Sequence, residues 1–247
     1  MTKRVALITG ASRGIGAGIA QTLAKHKTAV AVGFAHNELK AKTVANSIVA
    51  AGGTAQAVEI RNESRQSIKD AIQWIDQTMG GIDILINNAA IAQEKPFLTL
   101  TDDDWDLMLT INLKGAFMAT QEVLPRMINQ KWGRIINISS IGGQWGGMNQ
   151  IHYATAKAGL IGLTRSIAKV YSAHNITCNA IAPGLIATEM SKAELSTPAG
   201  QDKLKNIPRQ KLGTVDDIGE AALYLSSDQA NYVTGQTLNL NGGMYFG

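Results

Sequence analysis

One cysteine in 247 residues excludes two classes at once. Cys178 has no partner for an intramolecular disulfide, and no second cysteine or paired histidine stands at metal-ligand spacing, so neither a disulfide scaffold nor a metal centre is expected. Proline is scarce at 5 and aromatics make up 5%, while Gly numbers 25, which speaks against disordered and fibrous chains. No run of Lys and Arg is long enough to form a basic arm of the kind that binds nucleic acid, and the formal net charge is only +4. No apolar run approaches membrane-spanning length. The opening MTKR passes straight into a run too short for a signal peptide, so a reducing, cytoplasmic location with no membrane partner is expected.

The 45% of hydrophobic residues is enough for a large core, and they are patterned. Short β-branched runs at 5–9, 29–34, 55–60, 82–87, 134–139, 176–182 and 237–240 predict strands. Helical periodicity covers about 14–26, 37–51, 64–79, 102–129, 151–173 and 215–226. Alternation of this kind demands crossover connections, hence an α/β fold with a doubly wound parallel sheet of about seven strands and helices on both faces. Without a linker or an internal repeat, residues 1–247 are expected to form a single domain. Thr101 followed by Asp102-Asp103-Asp104 predicts a helix cap, the ordinary reason for acids at a helix start.

The first strand runs into Gly10-Ala11-Ser12-Arg13-Gly14-Ile15-Gly16 and then a helix. Glycine takes the positive φ of a tight turn, and without a Cβ it lets backbone N–H groups and the helix N-terminus approach a pyrophosphate. The spacing Gly-x-x-x-Gly-x-Gly differs from the commoner Gly-x-Gly-x-x-Gly fingerprint, and by position alone it also suits an ordinary strand-to-helix turn. The second strand ends in Gly33-Phe34-Ala35-His36-Asn37, without the acid that would accept the ribose hydroxyls of NAD. Arg13 can pair with a 2′-phosphate there, which favours NADP (NADPH), NAD remaining possible.

Residues 151–157 read IHYATAK. On a helix Tyr153 and Lys157 share one face, and a cation at ~4 Å in an effective dielectric of ~20 contributes roughly 4 kcal/mol, enough to lower a phenol pKa of ~10 by a few units. The spacing alone is common and equally describes a partly buried tyrosine beside a snorkelling lysine. Ser139 and Ser140 stand at the end of the strand RIINI, where ligands collect in open α/β sheets. His152 is read as a substrate-rim or surface residue.

TGASRGIG at 9–16, NNAA at 87–90, Ser140, YATAK at 153–157 and APGLIAT at 182–188 together resemble the classical short-chain dehydrogenase/reductases, and the likeness spans the whole chain. The resemblance implies a Rossmann-type domain in which Tyr153 passes a proton to the substrate oxygen as hydride arrives and Lys157 lowers its pKa while holding the nicotinamide ribose. Ser140 hydrogen-bonds the substrate oxygen, and Asn112 holds a relay water behind Lys157. Gly10, Ser12, Arg13, Gly14, Ile15, Gly16, Asn62, Asn88, Tyr153, Lys157, Pro183, Gly184, Ile186 and Thr188 become the implied cofactor contacts. Two places depart from the family pattern: Ala90 where a glycine is usual, and Arg61-Asn62 where an aspartate often follows the third strand.

Within the family the chain is most similar to the 3-oxoacyl-[acyl-carrier-protein] and acetoacetyl-CoA reductases, which implies NADPH-dependent reduction of a β-ketoacyl thioester. The same residues also suit a dehydrogenase of a sugar or other secondary alcohol; a reading of a different class is a non-catalytic dinucleotide sensor or scaffold. The polar segment at about 189–211 reads as a substrate lid. Lys131 and His174 are the positions weighed for carrier docking. Leu107, Phe117, Met118, Ile161, Leu163 and the 237–240 strand are expected at the interfaces of a homotetramer.

Overall fold

The computed structural model describes residues 4–188 and 204–247. Seven parallel strands form one sheet in the order β3-β2-β1-β4-β5-β6-β7: β1 Val5–Ile8, β2 Ala29–Phe34, β3 Thr54–Glu59, β4 Ile84–Asn87, β5 Gly133–Ile138, β6 Ile176–Pro183 and β7 Thr237–Leu240. The helices are α1 Gly14–Lys25, α2 Glu38–Ala50, α3 Arg65–Met79, α4 Asp102–Leu109, α5 Gly115–Gln130, α6 Gly142–Trp145, α7 Ile151–Tyr171 and α8 Val215–Ser226. The fold is thus the doubly wound α/β arrangement that the alternation of strand and helix patterns predicts.

Strand alternation divides the core in two. Ala6 and Ile8 of β1 and Ile84 and Ile86 of β4 face α1, α2 and α8, against Ile19, Leu23, Ile48 and Ile218. Val5, Leu7 and Leu85 face the other way, against Ile68 and Ile75 of α3 and Met118, Val123 and Met127 of α5. Because both faces are covered, the central strands are mostly apolar, and the polar side chains they do carry, such as Asn87 and Asn137, are buried and hydrogen-bonded to each other. Cys178 of β6 lies in the second layer, and burial pushes its thiol up to about 12.

The helix expected over 102–129 is three elements. α4 ends at Leu109, Thr110–Lys114 forms a π turn, and α5 begins at Gly115. Asn112, 1% exposed, sits in that turn with its amide spent on a neighbouring loop. The inserted residue of a π turn aims a side chain that α-helical phasing would turn away. Thr101 and Asp104 form a reciprocal capping box at the start of α4, as expected of the acidic run. Of the anticipated interface residues, Met118 and Ile161 are buried within the chain, whereas Leu107 and Phe117 remain exposed.

The winding reverses between β1 and β4, so their C-terminal ends open a crevice, and the segments that leave these strands form its walls.

Candidate active site

The glycine loop leaves β1 and the 88–96 loop leaves β4, and the two are bolted together. Thr9 Oγ1 accepts the N–H groups of Asn88 and Ala89, each at 3.0 Å, and Asn88 Nδ2 donates to the carbonyls of Thr9 and Gly10 at 2.9 and 3.0 Å. Two of the three glycines serve this closeness. A Cβ on Gly10 would stand 2.7 Å from Ala89 Cα, and one on Gly16 2.5 Å from Asn88 Nδ2. Gly14 differs: its φ is +57°, and a Cβ there would meet only Thr188 Cγ2, at 3.8 Å. The outer face of the loop therefore opens on the crevice opposite Thr188.

A dinucleotide fits this loop on the structure's own terms. Arg13 is the N-cap of α1 and makes no side-chain cap bond, and no acid lies in the first turn. The leading N–H groups of α1 keep their partial positive charge for an anion. Ser12 and Ile15 are partly buried in the loop, while Arg13 and His36 are exposed at its rim. The acid nearest the end of β2, Glu38, is held by Lys42 at 2.7 Å, and Asn37 caps α2 by accepting the Lys40 N–H. Asn62, 5% exposed, donates to the Ile111 carbonyl at 3.1 Å, and its Oδ1 is buried without a partner. Arg61 turns away to Glu59.

On the other wall Pro183 ends β6, with its carbonyl accepting the Ile141 N–H at 2.9 Å. Gly184 packs where a Cβ would stand 2.8 Å from Asn241 Cα. Ile186, 6% exposed, pairs with Gly213 as an isolated bridge, which fixes the path toward Thr188. The lid expected at 189–211 falls mostly outside the described residues. Of its described part, Arg209 and Lys211 line a cavity of about 510 Å³ together with Leu185, Ile186 and Tyr245.

Ser140 follows β5 and accepts the Gly142 N–H at 3.1 Å, which opens α6. Gly143 lets α6 lie on α7, since a Cβ there would stand 2.7 Å from the Lys157 backbone. The Ser140 hydroxyl stands near enough to the Tyr153 phenol to favour its ionised form. Lys157, 2% exposed, donates to the Ile138 carbonyl at 2.7 Å and lies 5.6 Å from the centre of the Tyr153 ring. Ser139 donates to the Lys157 carbonyl at 2.8 Å and so anchors the lysine's own turn.

The electrostatics depart from expectation. Burial raises the Tyr153 phenol above its ordinary value, with only the Ser140 hydroxyl acting the other way. The anticipated lowering by Lys157 is missing because the lysine gives up its own proton before the raised phenol ionises. Burial brings Lys157 itself down to about 8.

Asn112 does not turn its side chain toward Lys157. Its Oδ1 accepts the Ile91 N–H and its Nδ2 donates to the Ile91 carbonyl, so the side chain clamps the 88–96 loop. His152 is not at a rim or surface but fully buried, bonded to Gln93. Spacing arguments also pass over Trp145 and Tyr245, whose rings pack edge-on at 6.4 Å between α6 and the C-terminal segment. Lys131 and His174 lie at the N-terminal end of the sheet, opposite Ser140. Among the described residues no group of three or more His, Cys, Asp or Glu gathers to hold a metal, and no helix is long and apolar enough to cross a membrane.

Comparison with known proteins decides the lineage. The family model described as Enoyl-(Acyl carrier protein) reductase matches residues 10–245. The 3-oxoacyl-[acyl-carrier-protein] reductase of Aquifex aeolicus is 42% identical over 243 residues, which is 98% of this chain and 97% of that protein. This chain belongs to the classical short-chain dehydrogenase/reductases. The Salmonella typhimurium 3-oxoacyl-[acyl-carrier-protein] reductase is 38% identical over 98% of the chain and 97% of its own length. Among solved structures, a protein from Agrobacterium tumefaciens described as a putative gluconate dehydrogenase superposes with a TM-score of 0.94 at 32% identity, covering 98% of this chain and 95% of that one. As a short-chain dehydrogenase/reductase the chain is an oxidoreductase of the kind that uses a nicotinamide dinucleotide.

Proposed function

We propose that this reductase converts a β-ketoacyl thioester to the 3-hydroxyacyl thioester with NADPH. The observation that carries the reading is the convergence of Ser140, just after β5, and Tyr153, in the first turn of α7, close enough for the serine hydroxyl to act on the phenol. Two hydroxyls from different elements converge where one substrate oxygen can take a bond from each, which suits a carbonyl better than a carbon–carbon double bond.

The dinucleotide supplies hydride to the carbonyl carbon. Tyr153 donates its proton to the oxygen, and its raised pKa keeps the proton in place until charge develops there. Ser140 stabilises that oxygen by hydrogen bonding. Lys157 faces the tyrosine ring as a cation and holds the ribose hydroxyls. The loop from Gly10 to Gly16 with the N-terminus of α1 takes the pyrophosphate; Arg13 takes the 2′-phosphate. Asn62 contacts the adenine and Asn88 keeps the glycine loop against the ribose. Pro183, Gly184, Ile186 and Thr188 form the carboxamide wall. Binding and catalysis reside in one domain of a cytoplasmic homotetramer, and Asn112 orders the proton path by holding the 88–96 loop.

Arg209 and Lys211 at the cavity beside Ile186 favour a phosphate-bearing thioester, as acyl carrier protein and coenzyme A both provide. The likeness to the Agrobacterium protein supports a second reading, oxidation of a sugar or other secondary alcohol. Steady-state rates with NADPH and NADH against acetoacetyl-CoA, a β-ketoacyl carrier protein, simple ketones and sugar acids separate them. The expected result is NADPH-dependent turnover of thioesters above all else. Turnover confined to sugar acids overturns the thioester assignment.

A further inference from the structure

His152 precedes Tyr153 and is 0% exposed. Its Nε2 lies 2.9 Å from Gln93 Oε1, and Gln93 Nε2 donates to Asp104 Oδ1 at 2.9 Å. Asp104 also pairs with Lys95 and closes the capping box of α4. The row thus joins the 88–96 loop, the start of α4 and the first turn of α7. Two further bonds run alongside: the Lys95 N–H to the Asn149 carbonyl at 2.7 Å, and Gln150 Nε2 to Glu94 Oε1 at 3.3 Å. Gln150, the N-cap of α7, makes no side-chain cap bond. The first turn of the catalytic helix is therefore held from the side.

Hydrogen-bond chemistry fixes the protonation of this row. Lys95 and the Thr101 cap hold the Asp104 carboxylate well below its ordinary range, so it only accepts, and the Gln93 amide nitrogen must face it. The Gln93 oxygen then faces the imidazole, which must donate from Nε2. That leaves Nδ1 as a lone pair, buried and without a partner. A second proton would put an N–H where no acceptor stands. Burial accordingly lowers the His152 pKa, with Asp104 opposing and Lys95 assisting. The other charges on elements packed here are Asp102, Asp103 and Asp106 of α4, Glu94, engaged by Gln150, Lys114 of the π turn, and Lys157, Arg165 and Lys169 of α7 itself; α6 carries none.

We propose that His152 is a positioning residue. As a neutral Nε2–H donor to Gln93 it keeps the first turn of α7, and with it the Tyr153 phenol, in register with the 88–96 loop. Taking up a second proton requires Nδ1 to find solvent or an acceptor, which shifts that turn. The role rests on Tyr153 as the proton donor of the proposed reaction.

Nitrogen-15 NMR of the histidine-labelled chain, without substrate, tests the row itself, with the His152 signals identified by their loss in His152→Gln. The expected result is an Nε2–H tautomer that stays neutral down to pH values below the ordinary imidazole range. Gln93→Glu, which places a carboxylate beside the ring, should raise its pKa by about one unit or more. An Nδ1–H tautomer, or a charged His152 at neutral pH, overturns the row.

Turnover tests the positioning. His152→Phe should lose roughly tenfold or more in kcat, the scale expected when a reacting group is displaced by a fraction of an ångström, with the fold and NADPH affinity retained. His152→Gln, whose amide can donate to Gln93, should restore most of it, and Gln93→Glu should move the acid limb of the kcat profile to higher pH. Unchanged kcat and pH profile in His152→Phe, or a kcat loss matched by lost NADPH affinity, overturns the role. A wild-type chain inactive on every substrate overturns the functional reading and the role with it, while the NMR result still decides the row.

Discussion

Asn112 grips Ile91 by both of its backbone groups, accepting the N–H at 2.8 Å and donating to the carbonyl at 2.9 Å. One side chain thereby satisfies a loop residue that has no strand partner, and it can reach only because the π turn interrupts the helix. Asn112→Ala would orphan two backbone groups, each worth about 1–3 kcal/mol if left buried. The expected outcome is a urea midpoint lowered in proportion to roughly 2–4 kcal/mol, with faster amide exchange at Ile91 than in the sheet. Unchanged exchange there would mean that the loop is held by other contacts.

Tyr153→Phe keeps the ring and removes the proton donor. Turnover should fall at least a hundredfold, the ordinary size of an acid–base contribution, with NADPH binding by fluorescence preserved. Unchanged turnover would contradict the mechanism.

Lys157 is a buried cation, brought down by desolvation from its ordinary 10.5 to about 8. At neutral pH it is charged in both folded and unfolded chains, so its burial is a cost that is fully present below about 8. Between that value and 10.5 the unfolded chain binds more of the proton, and stability rises with pH. Lys157→Met should therefore be inactive and yet more stable at pH 7, by something on the order of 1–3 kcal/mol. The gap should close on approaching pH 10. Urea titrations of both proteins without NADPH measure it, and a gap that widened with pH would reverse the assigned sign.

Arg13 stands exposed at the rim of the glycine loop, and Glu38 beyond β2 is engaged by Lys42. Arg13→Ala should lower kcat/KM for NADPH by roughly 10–100-fold, the worth of a charge-assisted phosphate contact, and leave NADH almost unaffected. Equal losses with both cofactors would assign Arg13 to the loop's shape instead.

Much of this was legible from residue order alone. Periodicity locates every strand to within about two residues; the inner strands, buried on both faces, announce themselves as largely apolar runs. Ser140, Tyr153 and Lys157 could be singled out because sheet topology puts strand ends and the following helix in one crevice. The π turn was not legible: Asp102 to Gln130 continues a helical pattern, and the bond that stabilises the break comes from Ile91, distant in sequence. His152 was read as a rim residue for a similar reason. Its neighbours on the helix say nothing of Gln93, 59 positions away, whose amide orientation is fixed by Asp104 on a third segment. Likewise the spacing of Gly10, Gly14 and Gly16 does not reveal that two of them make room for Ala89 and Asn88 and only one for the open crevice.

The lone cysteine carries a practical corollary. Cys178 is 0% exposed, and its thiol is pushed to about 12, so almost no thiolate is present at neutral pH and alkylating reagents meet little that reacts. The chain is in effect a silent background for thiol labelling. A cysteine placed at an exposed site such as Leu98 would be the one reactive handle, and a dye there would watch the approach to the crevice without any need to remove the native sulfur.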